Sequence, residues 1–366
     1  MAETSTLPRT TLRYKTTADG LDIHIEVWAP KALSNDPGNP IEKRPAFIYF
    51  HGGGLSVGAR EVWIPPWAFN RLTERGYIFI SADYRLLPPV TGHDIIEDVK
   101  DLWAFLTSPD LSIPFPDSEA PRTLKIDSDA IAVGGSSAGG FCAYMAAMHC
   151  KNPKPKAILS IYALGGHIFT SYYLSPKKDH FVHSFEWLDK KDYEEFVYPY
   201  TKGVPATVAR SLPAYAENHP LGPSYPANPR MQLVWLNLHA ILRDACQLGE
   251  PSSTSHTAII EAAKELQEVA REKIDERHKR NLFAQFNVSS DWPSVVFVHG
   301  VCDTGLPLID SDHIYGLLKD AGVPTEIYRM DGEEHAFDYL EGAEEKWGRE
   351  FDQAIAFVHQ ATVKNN

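Results

Sequence analysis

Cysteine is scarce in this chain: Cys142, Cys150, Cys246 and Cys302 stand at irregular spacings among 366 residues. That excludes a disulfide scaffold, and the lack of any CxxC pair removes the usual thiolate zinc site. No apolar stretch approaches the ~18 residues of a membrane span. Met1 to Thr11 carry no apolar core of a secretory signal. Basic charge is in deficit too, with 35 Lys and Arg against 48 Asp and Glu and a net charge of -13. A surface of that sign repels phosphate backbones and anionic membranes, so nucleic acid is not an expected partner. The acidic residues are scattered, as on a well-hydrated surface, and there is neither an internal repeat nor a low-complexity tract. The expectation is a soluble, cytoplasmic protein. A chain of this length buries enough to fold as a monomer, and its composition also allows a homodimer.

Short apolar runs rich in aromatic and β-branched residues recur at Ala46–Phe50, Tyr77–Ser81, Ala130–Val133, Ala157–Tyr162, Val295–Val298 and Thr325–Tyr328. Such runs suit strands buried on both faces of a parallel sheet. Helical periodicity falls between them. Ile95, Val99, Leu102 and Leu106 share one face, as do Trp347, Phe351, Ala354 and Val358. Before the first run, residues 12 to 30 read as two strands around a turn at Asp19-Gly20, and Pro37 to Pro45 as a polar loop. The alternation predicts an α/β fold, a mostly parallel twisted sheet flanked by helices.

The rhythm breaks between residues 164 and 292. Residues 166 to 200 hold ten aromatics, and a proline-rich passage runs from Pro205 to Pro229. A long amphipathic helix follows, striped by Ile259, Ala263, Leu266, Ala270 and Ile274. This predicts a core made of residues 1–163 and 293–366, interrupted by an inserted cap at 164–292. The aromatics suggest a mostly apolar pocket beneath that cap.

Three motifs carry chemistry. Gly135-Ser136-Ser137-Ala138-Gly139 fits the G-x-S-x-G nucleophile elbow. Alone it could equally be a glycine-rich helix cap, but it follows a strand-like run and opens a helical one, Phe141 to Met148. A serine on so tight a turn is strained, and flanking glycines remove the clash. The helix N-terminus beyond it favours negative charge at the reacting centre. His51-Gly52-Gly53-Gly54 directly follows a strand, and its glycines let backbone N–H groups approach a developing oxyanion. The loop lacks the GK[ST] ending of a phosphate loop. Asp303 and His335 fall just past late strands, where sites of open α/β sheets assemble. The order Ser137, Asp303, His335 is that of an α/β-hydrolase triad.

Other residues draw plainer expectations. Asp310 and Asp312 should cap or decorate a helix starting near Pro307, and Asp331 should shape the turn before His335. Asp83-Tyr84-Arg85 should tie the sheet edge to loops. His180 and His183 stand three apart with nothing to complete a ligand set, so they read as surface histidines, and neither metal nor cofactor is implied.

On HGGG at His51–Gly54, Asp83-Tyr84-Arg85-Leu86, GSSAGG at Gly135–Gly140, Asp303 and His335, the chain resembles the hormone-sensitive-lipase family of α/β-hydrolases. The likeness covers roughly residues 45 to 163 and 294 to 358. That family consists mostly of carboxylesterases and related lipases or amidases that need no cofactor. The resemblance implies Ser137, Asp303 and His335 as the catalytic set, and the N–H groups of Gly53, Gly54 and Ala138 as the oxyanion hole. Taken with the aromatic run from Phe169 to Tyr200, the expected substrate is a small, neutral, mostly apolar ester. Three departures stand out: Ser136 where the family commonly has an acid, no cap helices ahead of His51, and a large internal insertion like that of fungal members. Two other classes share the fold. One turns the same residues to acyl transfer, lactonisation or condensation. The other is a non-catalytic receptor like the plant gibberellin receptor, which has lost the histidine that stands here as His335.

Overall fold

In the computed structural model the apolar runs lie side by side in one sheet. The described residues are 7–31, 41–115, 122–168, 170–174, 194–196, 200, 202–215, 227–233 and 282–363. Among them are nine strands: β1 Arg9–Thr16, β2 Asp22–Trp28, β3 Ile41–Phe50, β4 Ile78–Ala82, β5 Ile113–Phe115, β6 Arg122–Ser136, β7 Ala157–Ile161, β8 Ser294–Gly300 and β9 Thr325–Met330. The sheet order is β1-β2-β4-β3-β6-β7-β8-β9, with β5 set antiparallel against β6. β1 and β2 pair antiparallel, β2 pairs antiparallel with β4, and every pairing from β4 across to β9 is parallel.

The period-two pleat divides the core in two. Phe47, Tyr49, Phe79, Val296 and Val298 face α1 (Pro66–Glu74) and α6 (Ala343–Thr362), whose Trp67, Leu72, Phe351 and Ile355 join the same cluster. Their neighbours Ile48, Phe50, Ile78, Ile80, Val295 and Phe297 face the other way. They pack with α2 (Gly92–Leu106), α3 (Ala138–His149) and α5 (Ile309–Asp320), through Val99, Met145 and Ile314 among others. Strands apolar at every position are what burial on both faces requires. α3 is buried from Ala138 to Met148, so its apolar residues run all round the helix and show no amphipathic stripe.

Two stretches differ from the sequence reading. Ile41 to Pro45, expected as loop, extend β3 backwards, and their partners extend β6 to Arg122, well before the expected Ala130. Ile41 to Arg44 pair with Thr123 to Ile126, and the register shifts between Arg44 and Ala46. Pro45 sits in that irregularity, where a missing N–H costs least. These outer rungs interleave charged residues with Ile41, Leu124 and Ile126, so no continuous apolar run marks them in the hydropathy. α1 and β5 also went unread.

Between residues 164 and 292 the described pieces are α4 (Ser171–Leu174) and short segments. Several dock on the loops at the C-terminal ends of β3 and β4. Gly58 and Ser211 exchange backbone hydrogen bonds of 2.7 and 2.9 Å, and Leu86 N donates to Val208 O at 2.8 Å. The buried Arg230 donates to the carbonyls of Leu87 and Pro88. The expected stripe from Ile259 to Ile274, and His180 and His183, lie outside the described residues. No helix among the described residues is long and apolar enough to cross a membrane.

β3 is the strand from which the chain turns first to one side (β4) and then to the other (β6). Ligands of open α/β sheets bind at such a switch, beyond the carboxyl ends of the strands. The glycine loop leaves β3 there, and Ser137 follows β6.

Asp83-Tyr84-Arg85 belongs to the scaffold of that switch. Arg85 pairs with Asp94 at 3.0 Å and with Asp98 at 2.8 Å, and Lys15 reaches Asp98 at 2.7 Å. Asp98 is fully buried and also accepts from Arg85 N. Replacing Asp98 by Ala removes the buried carboxylate that both cations share, leaving Arg85 with Asp94 at 3.0 Å and Lys15 with Asp101 at 2.7 Å. We expect a loss of about 1.5–3 kcal/mol of stability. Urea denaturation of the variant checks this; a loss under about 1 kcal/mol would mean that Asp94 and Asp101 alone suffice to hold the two cations.

Candidate active site

Ser137 is the hinge between β6 and α3, at φ 53° and ψ -122°. A non-glycine residue in this region carries about 1–3 kcal/mol of strain, and the surroundings show what holds it. Ser137 N donates to Ile161 O at 2.9 Å, and Ser137 O accepts from Gly140 N and Leu164 N. The flanking glycines are obligatory: a Cβ on Gly135 would lie 2.2 Å from the Gly139 carbonyl carbon, and one on Gly139 would lie 1.9 Å from Phe50 O.

His335 lies beyond β9 and presents Nε2 to Ser137 Oγ at 3.1 Å. Its Nδ1 meets Asp303 Oδ2 at 2.8 Å. A carboxylate oxygen only accepts, so the ring proton sits on Nδ1 and Nε2 offers its lone pair to the serine hydroxyl. The edge of the ring packs against Tyr162, 4.7 Å between centroids. Asp303 is buried in the turn after β8, and its Oδ1 accepts from Gly305 N at 2.8 Å and Leu306 N at 2.7 Å. Burial alone would raise its pKa. Hydrogen bonds from His299 and His335, with their charge, outweigh that and hold the carboxyl well below the usual carboxylate range.

The glycine loop runs beside the serine: a Cβ on Gly52 would lie 3.4 Å from Ser137 Cβ. Gly53 and Gly54 both have positive φ, which aims the loop backbone as ordinary residues rarely could. Ala138 is the first residue of α3 and is buried. Gly53, Gly54 and Ala138 therefore lie on the two segments that flank Ser137 Oγ. His51 is buried and stacked on Tyr84 at 4.5 Å, and burial pushes its pKa down to about 4 despite a hydrogen bond with Gly52 O. Tyr84 OH donates to His51 O at 2.8 Å, so the expected structural role of Asp83-Tyr84-Arg85 takes concrete form as a brace for the glycine loop. Asp83 accepts from Arg60 N and from its guanidinium. Ser136 is buried, with its Oγ 2.7 Å from Tyr49 OH, and Tyr49 OH in turn donates to Trp63 O.

Three groups around the site gave no signal in the sequence. His299, on β8, places Nε2 3.3 Å from Asp303 Oδ2. Glu334 Oε2 accepts from Thr304 N, Thr304 Oγ1 and His335 N, clasping the acid loop to the base loop. Asp338 is buried, accepts from Trp67 Nε1 and Tyr162 OH, and is raised by its burial. Only contact in space marks these roles, although each lies within five residues of Asp303 or His335.

One expectation needs correction. Asp310 does not decorate α5: it is fully buried and accepts from Tyr173 OH of α4. Burial raises its carboxyl to about 8, helped by the nearby Asp303 and opposed by the Tyr173 bond. A helix-start position told the sequence reading nothing about which way the side chain turns. Asp312 does lie outside, paired with Arg329 at 2.6 Å, and Asp331 is exposed. Among the described residues no three His, Cys, Asp or Glu side chains gather as a metal site.

A family model described as the alpha/beta hydrolase fold matches residues 47–227. The chain has the α/β-hydrolase fold. A Phoma sp. protein named a probable carboxylesterase is 36% identical over 121 residues, which span 32% of this chain and 37% of that protein. The non-reducing polyketide synthase pkbA of Emericella nidulans is 26% identical over 348 residues, 89% of this chain but 13% of the synthase. The chain thus spans well under half the length of these relatives. Among solved structures, Thermogutta terrifontis esterase 2 phosphonylated by sarin superposes with a TM-score of 0.57 at 16% identity, covering 100% of both chains. A Staphylococcus aureus protein of unknown function does so with 0.57 at 17% identity, covering 97% of this chain and 99% of that one.

Asp310 gives the site's surroundings a pH dependence. Its folded pKa lies above the unfolded one, so the folded state binds the extra proton, and stability falls as pH climbs from about 4 to about 8. Asp310→Asn should therefore gain stability over the wild type as pH rises through that window. Melting temperatures of both proteins at pH 5 and pH 8 test this; a constant difference between them contradicts a buried, protonated Asp310.

Proposed function

We propose that the protein is a serine hydrolase of carboxylic esters, acting through an acyl-enzyme. One observation carries the reading: Ser137, His335 and Asp303 form a single hydrogen-bonded series, at 3.1 and 2.8 Å, that starts on a strained turn. Ser137 Oγ attacks the carbonyl carbon while His335 Nε2 takes its proton, and Asp303 holds the Nδ1–H and steadies the imidazolium. The oxyanion rests on the N–H groups of Gly53, Gly54 and Ala138, each such donor contributing ~2.7–4 kcal/mol. His335 then returns the proton to the leaving alcohol. Water repeats the cycle, releases the acid and restores Ser137. The expected substrate is a small neutral ester with a mostly apolar acyl or aryl group, met in the cytoplasm by a monomer or homodimer.

A second reading has its own support. Likeness to polyketide synthases runs along 89% and 96% of the chain in two cases, pkbA and the Preu6 synthase of Preussia isomera. The same residues would accept an acyl group from a thioester and pass it to water, an alcohol or an internal nucleophile. The two readings separate on a paired screen of p-nitrophenyl esters and N-acetylcysteamine thioesters of matched acyl groups. Faster acylation by the thioesters, with transfer to an added alcohol, selects the second.

Ser137→Ala should remove turnover from a protein that still folds, and organophosphate labelling with peptide mass spectrometry should find the adduct on Ser137. An adduct on Ser136 would sink the assignment. Among the acids, Asp303→Asn should lower kcat by ~10⁴, because the amide favours the wrong histidine tautomer. Asp331→Asn should leave kcat within a few-fold of wild type; if it is the crippling change, the acid is misplaced.

A further inference from the structure

His299 lies on β8, four residues before Asp303, with its ring fully buried. Its Nε2 sits 2.8 Å from Leu306 O and 3.3 Å from Asp303 Oδ2, and its Nδ1 sits 2.8 Å from Ser311 Oγ. A carbonyl and a carboxylate only accept, so the ring proton belongs on Nε2 and the Ser311 hydroxyl donates to Nδ1. The contacts come from the turn after β8, from Asp303, and from the first turn of α5. A second imidazole therefore touches the same carboxylate oxygen that His335 uses.

We propose that His299 is a positioning residue for Asp303: its Nε2–H fixes the orientation of the carboxylate and takes up part of its charge, and so sets how strongly Asp303 holds the His335 imidazolium. This rests on the esterase reading of Ser137, His335 and Asp303. Three hydrogen bonds hold the carboxylate, from Gly305 N and Leu306 N to Oδ1 and from His335 Nδ1 to Oδ2. His299 Nε2, whose proton also meets Leu306 O, faces Oδ2 as a fourth and longer contact at 3.3 Å. A carboxylate so held cannot rotate without breaking bonds to its donors and losing the His299 contact, and buried donors are costly to leave unpaired. Removing the His299 donor concentrates the charge on the bond to His335. The imidazolium is then favoured, and the acid limb of kcat/KM moves to higher pH.

Other groups face this pair from the elements packed around it. Asp338 acts on His335, and Asp310 and Tyr172 act on Asp303. Glu334 accepts from His335 N, Tyr162 packs on the His335 ring, and Tyr173 bonds Asp310. All of them remain when His299 alone is changed, so a shift in the pH profile belongs to His299.

The test compares wild type, His299→Phe and His299→Gln by kcat and KM for p-nitrophenyl butyrate from pH 5 to 9, with circular dichroism to check folding. Phe keeps the ring shape without a donor, and we expect an acid limb raised by about half a pH unit or more, with kcat at pH 6 lower by about threefold or more and KM held. Gln carries an N–H near the Nε2 position and should return the limb towards wild type. A folded His299→Phe protein with an unmoved profile, or a shift that Gln does not reverse, overturns the proposal. Should the Phe variant fail to fold, or the wild type show no esterase activity, ring ¹⁵N shifts of the wild type at pH 8 decide. An Nε2–H tautomer at His299 supports the donor role, and an Nδ1–H tautomer rules it out. Absence of activity would count against the esterase reading alone.

Discussion

Between β3 and the turn from β6 into α3, two backbones approach so closely that no side chain fits. A Cβ on Gly139 would sit 1.9 Å from Phe50 O, and one on Gly135 would collide with Gly139 itself. That contact turns α3 sharply off the end of β6, forces Ser137 into positive φ, and sets the glycine loop leaving β3 against the serine. The ladder of β3 on β6, from Ala46–Ile131 to Phe50–Gly135, brings the two segments into register. Strain at Ser137 is sustained because the sheet on one side and the buried α3 on the other leave the turn no alternative.

The second half of the site is built by loops, so it needs other means of holding. Asp303 and His335 leave neighbouring parallel strands, β8 and β9, within reach of each other. Yet loops of this kind wander unless tied. Here the ties are polar and specific: Glu334 spans the two loops, backbone N–H groups of Gly305 and Leu306 fix one Asp303 oxygen, and His299 reaches the other. Tyr172 of α4 donates to the carbonyls of Thr304 and Gly305, so the segment that follows β7 also braces the acid turn. Burial would have pushed Asp303 towards neutrality; two histidines reverse the sign.

Beneath the same turn the sign is the other one. Asp310 is as buried as any residue of the core, has Tyr173 as its described partner, and is pushed up to about 8. Two aspartates seven positions apart thus differ in charge at neutral pH because one is surrounded by donors and the other is not. Charge on Asp303 and neutrality at Asp310 also support each other, since two carboxylates so near would repel.

Much of this was legible in the chain itself. Apolar runs marked the central strands because strands buried on both faces must be apolar throughout, and G-x-S-x-G is readable because two backbones cannot meet with a Cβ between them. Chain order suggested which acid and which base could serve. The outer ends of β3 and β6 escaped, since backbone pairing leaves no trace in hydropathy. So did the inward turn of Asp310, because the start of a helix says where a residue lies and not which way it faces. His299 and Glu334 could only be found in three dimensions: their roles are hydrogen bonds to residues of another loop or another face, and no spacing along a chain encodes a contact that a tertiary fold creates.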